Sequence, residues 1–399
     1  TTCTFGFMRT FLSKLYSIVY QRGELPMPRP VFKLGIIGGG LNSIAGYPHF
    51  VASQMDHRFK VESGVFSNEA EENASTADYW GVERWYKTID EFISAERGKL
   101  DAVTILLPTP DHFRAVENLI KLKVPVICEK PLFSTLAEIE KLGMVRDLPS
   151  GFLVTTYNYI AYPILSELRD MIAQGRLGRI INIHLEMPQE SFLNPPKSVN
   201  YPPAWRKKDG PIPSVLLDLL SHLFSISHFI VGKRISKVFA HFNQFSRYKV
   251  VDDVKVIVDY ADNATGFFWA SKIALGNRNG LKFSVYGEKA SASWIQEYPE
   301  RLSFFEADGT MRIIDRTNAP AIAGVKIFNR MTPGHPAGYI EAFARLYYEI
   351  ANALEIYLSG KDYKVHPLIW SYEKELENFH FLSAVVESAS CQQFIEVAR

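Results

Sequence analysis

Short, continuous apolar runs alternate with longer stretches of helical periodicity in the first part of the chain. Each run ends at glycine, proline or polar residues, and each longer stretch repeats its apolar residues on one helical face. Strands of a parallel sheet are apolar along their whole length because helices cover both faces of the sheet. The pattern therefore predicts an α/β domain with a parallel sheet. The predicted strands are 32–37, 59–66, 100–107, 124–128 and 152–157. One predicted helix ends at Ser53, and three others span 69–80, 112–121 and 135–146.

Beyond Pro163 the pattern changes, because polar and apolar residues alternate in successive segments that mostly lack helices between them. An antiparallel sheet with one solvated face has this alternation. The predicted strands are 180–187, 236–245, 254–260, 265–271, 281–286 and 291–295, with helices at 164–174, 215–230 and 339–358 and a proline-rich loop at 194–213. We therefore predict two domains: 31–162 with the parallel sheet, and 163–399, an α+β domain with an open, mainly antiparallel sheet for substrate binding and oligomerisation.

Composition limits the functions that such a protein can have. The 399 residues are 47% hydrophobic, which suffices for two cores, and the net charge of +1 gives no basis for binding nucleic acid or an acidic membrane. No apolar run approaches the roughly 18–20 residues that span a bilayer. The three cysteines are scattered, which predicts a reducing, cytoplasmic setting and no metal site. Residues 1–30 are interpreted as an N-terminal extension or a vector-derived remnant rather than a targeting segment.

Three consecutive glycines follow the first predicted strand and precede a helical stretch. Strand, glycine-rich turn and helix form the first unit of a dinucleotide-binding Rossmann fold, in which the turn approaches a pyrophosphate. The match to G-x-G-x-x-G is imperfect, because Ser43 stands where the third glycine belongs; Gly46 serves only if the turn carries three extra residues. An ordinary glycine-rich turn is the alternative interpretation. The contacts predicted for a binding turn are Gly38, Gly40, Leu41 and Asn42.

The end of the second predicted strand bears on the choice of cofactor. A carboxylate at this position usually binds the adenosine ribose of NAD, and an arginine nearby accommodates the 2′-phosphate of NADP. Ser67 and Asn68 stand here instead, and no arginine follows immediately. The sequence therefore predicts NAD or NADP, with a weak preference at most.

Residues 126–131, Val-Ile-Cys-Glu-Lys-Pro, end a predicted buried strand with a charged pair and a proline. Ligands of open α/β sheets bind just beyond the carboxyl ends of the strands, which places Glu129 and Lys130 at the predicted site. A lysine there can polarise a substrate oxygen or lower a neighbour's pKa. Taken alone, these residues suit a surface turn with a solvated Glu-Lys pair equally well.

Asp218 and His222 stand four residues apart in the predicted helix 215–230, so their side chains share one face. A neutral histidine can act as a general base near pH 7. A lone histidine in an apolar helix is, however, more commonly a core residue with its hydrogen bonds satisfied.

Further motifs lie along the chain, in order: Asp101-Ala102-Val103 with Pro108 and His112, Glu129-Lys130-Pro131-Leu132, Tyr157-Asn158 with Pro163, 202–206, Asp218 with His222, and 334–339. From about Lys33 to the C-terminus, these segments together resemble the Gfo/Idh/MocA family, named for glucose–fructose oxidoreductase, inositol 2-dehydrogenase and a rhizopine-catabolism protein. Two departures from the family pattern suggest an unusual substrate pocket. Residues 210–213, Gly-Pro-Ile-Pro, replace a glycine-rich segment before the helix, and Ser225 replaces a frequent aspartate.

The resemblance implies an NAD(P)-dependent oxidoreductase acting on a hydroxyl or carbonyl of a sugar, sugar derivative or cyclitol. In such an enzyme, Lys130 would polarise the hydroxyl, His222 would exchange the hydroxyl proton, and Asp218 would support His222. Implied cofactor contacts are Gly38, Gly40, Leu41, Asn42, Ser67, Asn68, Pro108, His112, Glu129 and Lys130. Implied substrate contacts are Lys130, Asn158, Trp205, Arg206, Asp218, His222 and His335, while Lys272, Asn277 and Asn279 either line the open face of the sheet or form an ordinary turn.

Two other functions occur among relatives of this kind. One is a glycoside hydrolase that uses NAD transiently, and the other is a non-enzymatic cofactor sensor; the presence of Lys130, Asp218 and His222 together disfavours the sensor. By analogy with the family, the open sheet predicts a homodimer or homotetramer assembled back to back.

Overall fold

The computed structural model of the protein describes residues 29–196, 202–318, 322–325 and 327–398. Two sheets organise these residues, one parallel and one mainly antiparallel, so the predicted fold class is confirmed. The predicted N-terminal extension lies outside the described residues, except for its last two positions.

The first sheet has six parallel strands in the order β3-β2-β1-β4-β5-β6, the arrangement of a Rossmann fold. Its central strands are almost entirely buried, as their apolar sequences predicted. The strands are β1 Phe32–Gly38, β2 Phe59–Val65, β3 Arg84–Trp85, β4 Ala102–Leu106, β5 Val126–Glu129 and β6 Leu153–Thr156, and the helices are α1 Gly46–Gln54, α2 Ala70–Trp80, α3 Ile89–Glu96, α4 His112–Lys121 and α5 Leu136–Gly143.

The second sheet has nine strands in the order β14-β13-β12-β11-β7-β10-β9-β8-β15. All neighbouring strands are antiparallel except β7 and β10, which are parallel. The strands are β7 Ile180–Pro188, β8 Ile235–Asn243, β9 Asp253–Tyr260, β10 Thr265–Ser271, β11 Lys282–Gly287, β12 Ala290–Ile295, β13 Leu302–Glu306, β14 Met311–Ile314 and β15 Ile395–Glu396, and the helices are α6 Pro163–Ala173, α7 Ser221–Val231, α8 Tyr339–Leu358 and α9 Tyr372–Cys391.

One face of this sheet is buried and the other is exposed, as its alternation requires. In β9, Val254, Val256 and Val258 are buried, whereas Lys255 and Ile257 face solvent. The buried face supports α7, the helix that carries His222.

Several elements were absent from the prediction. Strands β3 and β15 have two residues each, and β13 and β14 lie at the far edge of the sheet, so none has a strong apolar pattern. Helix α9 was missed because polar residues, including Glu375 and Asn378, occupy its buried face.

The two C-terminal helices cover the parallel sheet as well as their own. The Tyr347 hydroxyl of α8 is 2.8 Å from His49 Nδ1 in α1, and the Thr155 amide of β6 donates to the Trp370 carbonyl over 2.9 Å. The domain division after residue 162 therefore remains a prediction, because later residues complete the core of the first domain.

Candidate active site

Lys130 and Asp218 join the two sheets at the proposed site. Lys130 follows β5 at the carboxyl edge of the parallel sheet, and Asp218 lies one turn before α7. The Lys130 ammonium donates to Asp218 Oδ1 over 3.0 Å and to the Asp218 carbonyl over 2.9 Å. The predicted surface turn with a solvated Glu-Lys pair does not occur at Lys130, because its side chain is only 14% exposed.

Asp218 is surrounded by three cations. Besides Lys130, Arg206 Nη2 lies 3.1 Å from Asp218 Oδ1, and Lys272 Nζ lies 2.6 Å from Asp218 Oδ2. Burial alone would raise the pKa of the Asp218 carboxyl, but the three positive charges have the larger effect and hold this pKa well below its ordinary value. Asp218 is therefore ionised throughout the working pH range.

The backbone before α7 is a single π-helical turn, Leu216–Leu220, which presents Asp218 to the cations. Such wider turns are rare and occur often at functional sites. The preceding Gly-Pro-Ile-Pro segment begins the helix, because the Pro213 carbonyl accepts from the Leu216 amide over 3.0 Å. The proline segment therefore lies directly before the turn that carries Asp218, and an unusual substrate pocket stays a prediction.

His222 is buried, and neither of its ring nitrogens has a hydrogen-bond partner among the residues that the structure describes. Its ring packs edge-on against Tyr157 and Tyr159, with centroid distances of 5.7 and 4.6 Å. Burial, followed by the charge of Lys130, holds the pKa of His222 well below its ordinary value, whereas Asp218 opposes the shift. Asp218 thus acts on His222 only through its charge, without the hydrogen bond that an orienting partner would make.

From the sequence, Lys272 was predicted only to line the open face of the sheet or to form an ordinary turn. Phe268 and Ala270 face inward along β10. Lys272 is the first residue after the strand and continues this inward-facing alternation. Likewise, Gln189 follows the inward residues of β7, the parallel neighbour of β10. Lys272 Nζ is 2.7 Å from Gln189 Oε1, and burial lowers the pKa of Lys272 to about 8. The alternation within the two strands was the signal that could have identified both residues.

A chain of hydrogen bonds continues from Gln189 towards His222. Gln189 Nε2 donates to Asn279 Oδ1 over 3.0 Å, and Asn279 Nδ2 donates to the Tyr159 hydroxyl over 2.9 Å. Because Tyr159 packs on His222, this chain connects Lys272 with the ring of the proposed base. Asn279 is therefore part of this chain, and a position on the open face of the sheet or in an ordinary turn stays a prediction.

Glu375 of α9 supports the segment that carries Lys130. Its fully buried carboxylate accepts from the Leu132 amide over 2.9 Å, from Trp370 Nε1 over 2.6 Å and from the Tyr157 hydroxyl over 3.2 Å. Tyr157 in turn packs on His222. One carboxylate thus fixes positions beside both proposed catalytic side chains.

The glycine turn has the geometry of a cofactor cradle. Gly38 and Gly39 have φ values of 82° and 73°, which favour glycine, and a Cβ on Gly46 would lie 1.9 Å from the Gly39 carbonyl oxygen. Gly46 therefore serves as the packing glycine, so the longer turn considered in the sequence is the one that forms. Because side chains are excluded here, the turn can approach a pyrophosphate, and its residues fit the dinucleotide implied by the fold.

Glu72 lies between this turn and the end of β2. Its Oε1 accepts from the Asn42 amide over 3.0 Å, and its Oε2 accepts from the Ser67 hydroxyl over 2.7 Å. The carboxylate that the sequence lacked at the strand end is therefore supplied by α2. Neither periodicity nor motif spacing indicated it.

Of the other predicted cofactor contacts, Glu129 and His112 have protein partners. Glu129 Oε1 lies 3.3 Å from both His49 Nε2 and Thr156 Oγ1. His112 is buried with Nε2 2.7 Å from the Leu107 carbonyl and Nδ1 3.1 Å from the Leu132 carbonyl, so its ring connects two turns. Cofactor contact by Pro108 and the remaining predicted residues stays a prediction.

The predicted substrate contacts divide into two groups. Arg206 stacks over the Trp205 ring at 4.9 Å, which brings Trp205 beside the Asp218 cluster. Asn158 is buried, and its Nδ2 has no partner among the described residues. His335, in contrast, is exposed, and its Nδ1 is 3.1 Å from the Thr332 carbonyl within its own turn. No contact of the described residues connects His335 with Lys130 or Asp218.

The described part of the chain lacks a metal-ligand cluster and a membrane-spanning helix. No group of three or more histidine, cysteine, aspartate or glutamate side chains there could hold a metal ion. No helix in the same residues is both long and apolar enough to cross a membrane.

Comparison with known proteins agrees with this architecture. Residues 32–146 match the family described as "Oxidoreductase family, NAD-binding Rossmann fold", and residues 165–293 match the "GFO/IDH/MocA C-terminal domain". An uncharacterised oxidoreductase of Bacillus subtilis, YfiI, is 26% identical over 92% of this chain and 97% of its own.

Solved structures extend the similarity to three dimensions. An inositol dehydrogenase homologue from Azotobacter vinelandii, complexed with NAD+, is 26% identical with a TM-score of 0.85, covering 94% of this chain and 99% of that one. The same homologue with NADH and myo-inositol gives a TM-score of 0.83 at 26% identity, with coverage of 92% and 98%. The chain therefore belongs to the Gfo/Idh/MocA family and is an NAD(P)-dependent oxidoreductase.

Proposed function

We propose that the protein oxidises a secondary hydroxyl of a sugar, a sugar derivative or a cyclitol, with Lys130 and His222 as catalytic residues. The observation that carries this proposal is the 3.0 Å contact between Lys130 and Asp218, beside a histidine whose ring nitrogens are free of described partners. Relatives named myo-inositol 2-dehydrogenase and levoglucosan dehydrogenase support the substrate class.

Lys130 is positioned to polarise the reacting hydroxyl. Two of its three ammonium protons are donated to Asp218, which leaves one for a substrate oxygen. As the alcohol loses its proton, negative charge develops on this oxygen, and a fixed ammonium stabilises that charge. Asp218 holds the ammonium in place, which is a more direct role than the predicted support of His222.

His222 is the proposed proton acceptor. Its lowered pKa keeps the ring neutral near pH 7, so that a nitrogen is available to accept the hydroxyl proton. The hydrogen on the alcohol carbon leaves with both electrons of the C–H bond as hydride, for which a bound oxidised nicotinamide would be the acceptor, and the carbon becomes a carbonyl. In the reverse direction, the same ring returns the proton.

The cofactor residues belong to the first sheet. Gly38, Gly40, Leu41 and Asn42 would hold the pyrophosphate, and Ser67, Asn68 and Glu72 would face the adenosine ribose. A bound nicotinamide supplies the hydride acceptor. Glu129 is the last residue of β5 and Lys130 follows it, at the carboxyl edge where such a ring binds in open α/β sheets.

The proposal is tested by screening aldoses, sugar acids and cyclitols with NAD+ and NADP+ while reduced nicotinamide is followed by its absorbance. Net accumulation with at least one compound, lost in Lys130→Met, is the expected result. Glycoside cleavage without net accumulation would instead favour the hydrolase that oxidises its substrate transiently. Cofactor binding without chemistry on any compound would favour a sensor.

Assembly and location are further parts of the proposal. The outer face of the nine-stranded sheet exposes apolar side chains, among them Ile181, Ile257 and Tyr286, which supports back-to-back pairing of two copies. Light scattering after gel filtration should give the mass of a homodimer or homotetramer. The cytoplasmic setting rests on cysteine usage alone and stays a prediction.

A further inference from the structure

The site holds more positive charge than its known chemistry requires. Lys130, Arg206 and Lys272 all pair with Asp218, and none of them has a second carboxylate within ion-pair distance among the residues that the structure describes. One negative charge therefore faces three positive ones. Polarising a hydroxyl needs only one of these cations, so two remain to be explained.

The hydrogen-bond inventory of the site is unbalanced in the same direction. Arg206 Nε is a buried donor without a partner in the described residues, and Lys272 donates to Asp218 and Gln189 with one proton left over. Asp218, in contrast, already accepts from all three cations. A ligand that offers only acceptors, such as a carboxylate or phosphate, complements this inventory.

Burial makes the excess charge significant. The Lys272 side chain is 3% exposed and that of Arg206 is 21% exposed, so water and salt screen them weakly. Buried cations are normally paired because leaving them unpaired is unfavourable. A bound anion would complete the pairing that Asp218 alone provides here.

We propose that the substrate is a sugar or cyclitol derivative bearing an anionic group, a carboxylate or a phosphate, held by Lys272 and Arg206. This inference rests on the proposed function, since it names the substrate class of the same site. It sets the protein apart from relatives whose names specify neutral substrates, myo-inositol and levoglucosan. Lys130 remains the contact of the reacting hydroxyl.

The test measures equilibrium binding of matched compounds to the enzyme saturated with NADH, where alcohols cannot be oxidised. Three arms are titrated by calorimetry: sugar acids such as gluconate, polyol phosphates such as sorbitol 6-phosphate, and their neutral counterpart sorbitol, none of which carries an aldehyde or ketone that NADH could reduce. At least one anionic compound should bind about 30-fold more tightly than its neutral counterpart, the range of a charge-assisted hydrogen-bond pair. The arm that binds identifies carboxylate or phosphate.

Lys272→Gln should weaken binding of that anion about 30-fold, a larger loss than for any neutral compound that binds. Lys272→Arg should restore much of the affinity because the charge returns. Lys99→Gln, which removes an exposed lysine far from the sheet junction, controls for net charge and should leave binding unchanged. Thermal unfolding of each variant verifies that it is folded.

The inference is overturned if no anionic compound binds better than its neutral counterpart, whether both bind equally or neither binds. It is also overturned if Lys272→Gln and Lys99→Gln have the same effect. Parallel assays with NAD+ separate the two proposals. Oxidation of neutral polyols alone would support the proposed dehydrogenase function and contradict the proposed anionic substrate. Anion binding without oxidation of any compound would support the anion site and contradict the dehydrogenase function.

Discussion

The glycine turn of the first sheet and the Asp218 cluster of the second carry function in different ways. In the turn, function depends on backbone, because Gly38 and Gly39 adopt positive φ values and Gly46 lacks a side chain where none fits. In the cluster, the proposed function depends on three cationic side chains from distant segments, held around the single carboxylate of Asp218. The turn suits any dinucleotide-binding enzyme of the fold, whereas the cluster is where we propose that substrates are distinguished.

The difference implies that binding of cofactor and chemistry on substrate are separable by mutation. No described hydrogen bond joins the residues of the turn with Asp218 or His222. Variants that disable one region and leave the other intact test this separation most directly.

The largest effect is expected from the catalytic side chains. Lys130→Met and His222→Ala should each lower turnover by about 10² or more, the usual scale for a positioned acid or base, with cofactor affinity nearly unchanged. The double variant should be little slower than either single one, because groups that act as a unit are strongly non-additive. Steady-state rates and NADH titrations provide the two measurements.

Near-normal turnover of His222→Ala across pH would reject His222 as the base while leaving fold and cofactor assignments intact. Ser225→Ala offers a matched control on the same helix. The Ser225 hydroxyl only donates to the His222 carbonyl over 2.8 Å, so its loss should change turnover little.

A smaller effect, confined to the other region, is expected from Gly40→Val. A Cβ at Gly40 would lie 2.9 Å from Glu72 Oε1 and 3.1 Å from the Phe66 carbonyl oxygen, so the Glu72 side chain must move and the backbone at Phe66 must give slightly. Overpacking of about 2 kcal/mol corresponds to roughly 30-fold weaker cofactor binding. A calorimetric titration with unchanged affinity would contradict the assignment of the turn, provided that thermal unfolding shows the variant to be folded.

The same contrast explains what the sequence could predict. The parallel sheet, the glycine turn and helix α4 followed from apolar runs and local motifs, because neighbours in sequence determine them. Lys130, Asp218 and His222 were grouped only by resemblance to a family, and Arg206 only as a substrate contact. Lys272, Gln189, Glu72 and Glu375 were not assigned, since each acquires its role from contacts with segments far away or on another element.

The third prediction concerns pH and depends on the proposed anionic substrate. Lys272 faces Asp218, Gln189, Arg206 and Lys130, and burial lowers its pKa from 10.5 to about 8. Because the charged form is the one that binds an anion, affinity for a sugar acid should be full below pH 8. It should then fall about tenfold per pH unit well above that value, as the protonated fraction does. His222 and Asp218 do not interfere, since both have pKa values held well below their ordinary ranges.

This prediction is checked by measuring the dissociation constant of the sugar acid from the NADH complex between pH 7 and 9.5. Lys272→Arg should flatten the profile, because arginine stays charged throughout. A wild-type affinity that is constant up to pH 9.5 would show that Lys272 does not hold the anion as a titrating cation.

The smallest effect is expected at Glu72 of the first domain, on the relative affinity for NADH and NADPH. The sequence suggested a weak preference at most between NAD and NADP, but it did not place a carboxylate 2.7 Å from Ser67 at the end of β2. A 2′-phosphate bound there would approach this carboxylate, and two like charges about 4 Å apart in a solvated site repel by about 1 kcal/mol. The wild-type protein should therefore bind NADH about fivefold more tightly than NADPH. Glu72→Gln, which keeps the shape but removes the charge, should abolish most of this difference by strengthening NADPH binding, while the exposed neighbour Glu71→Gln should leave it unchanged. Fluorescence titrations of both reduced cofactors decide the matter: equal affinities in the wild-type protein, or identical behaviour of the two variants, would mean that Glu72 does not face the ribose.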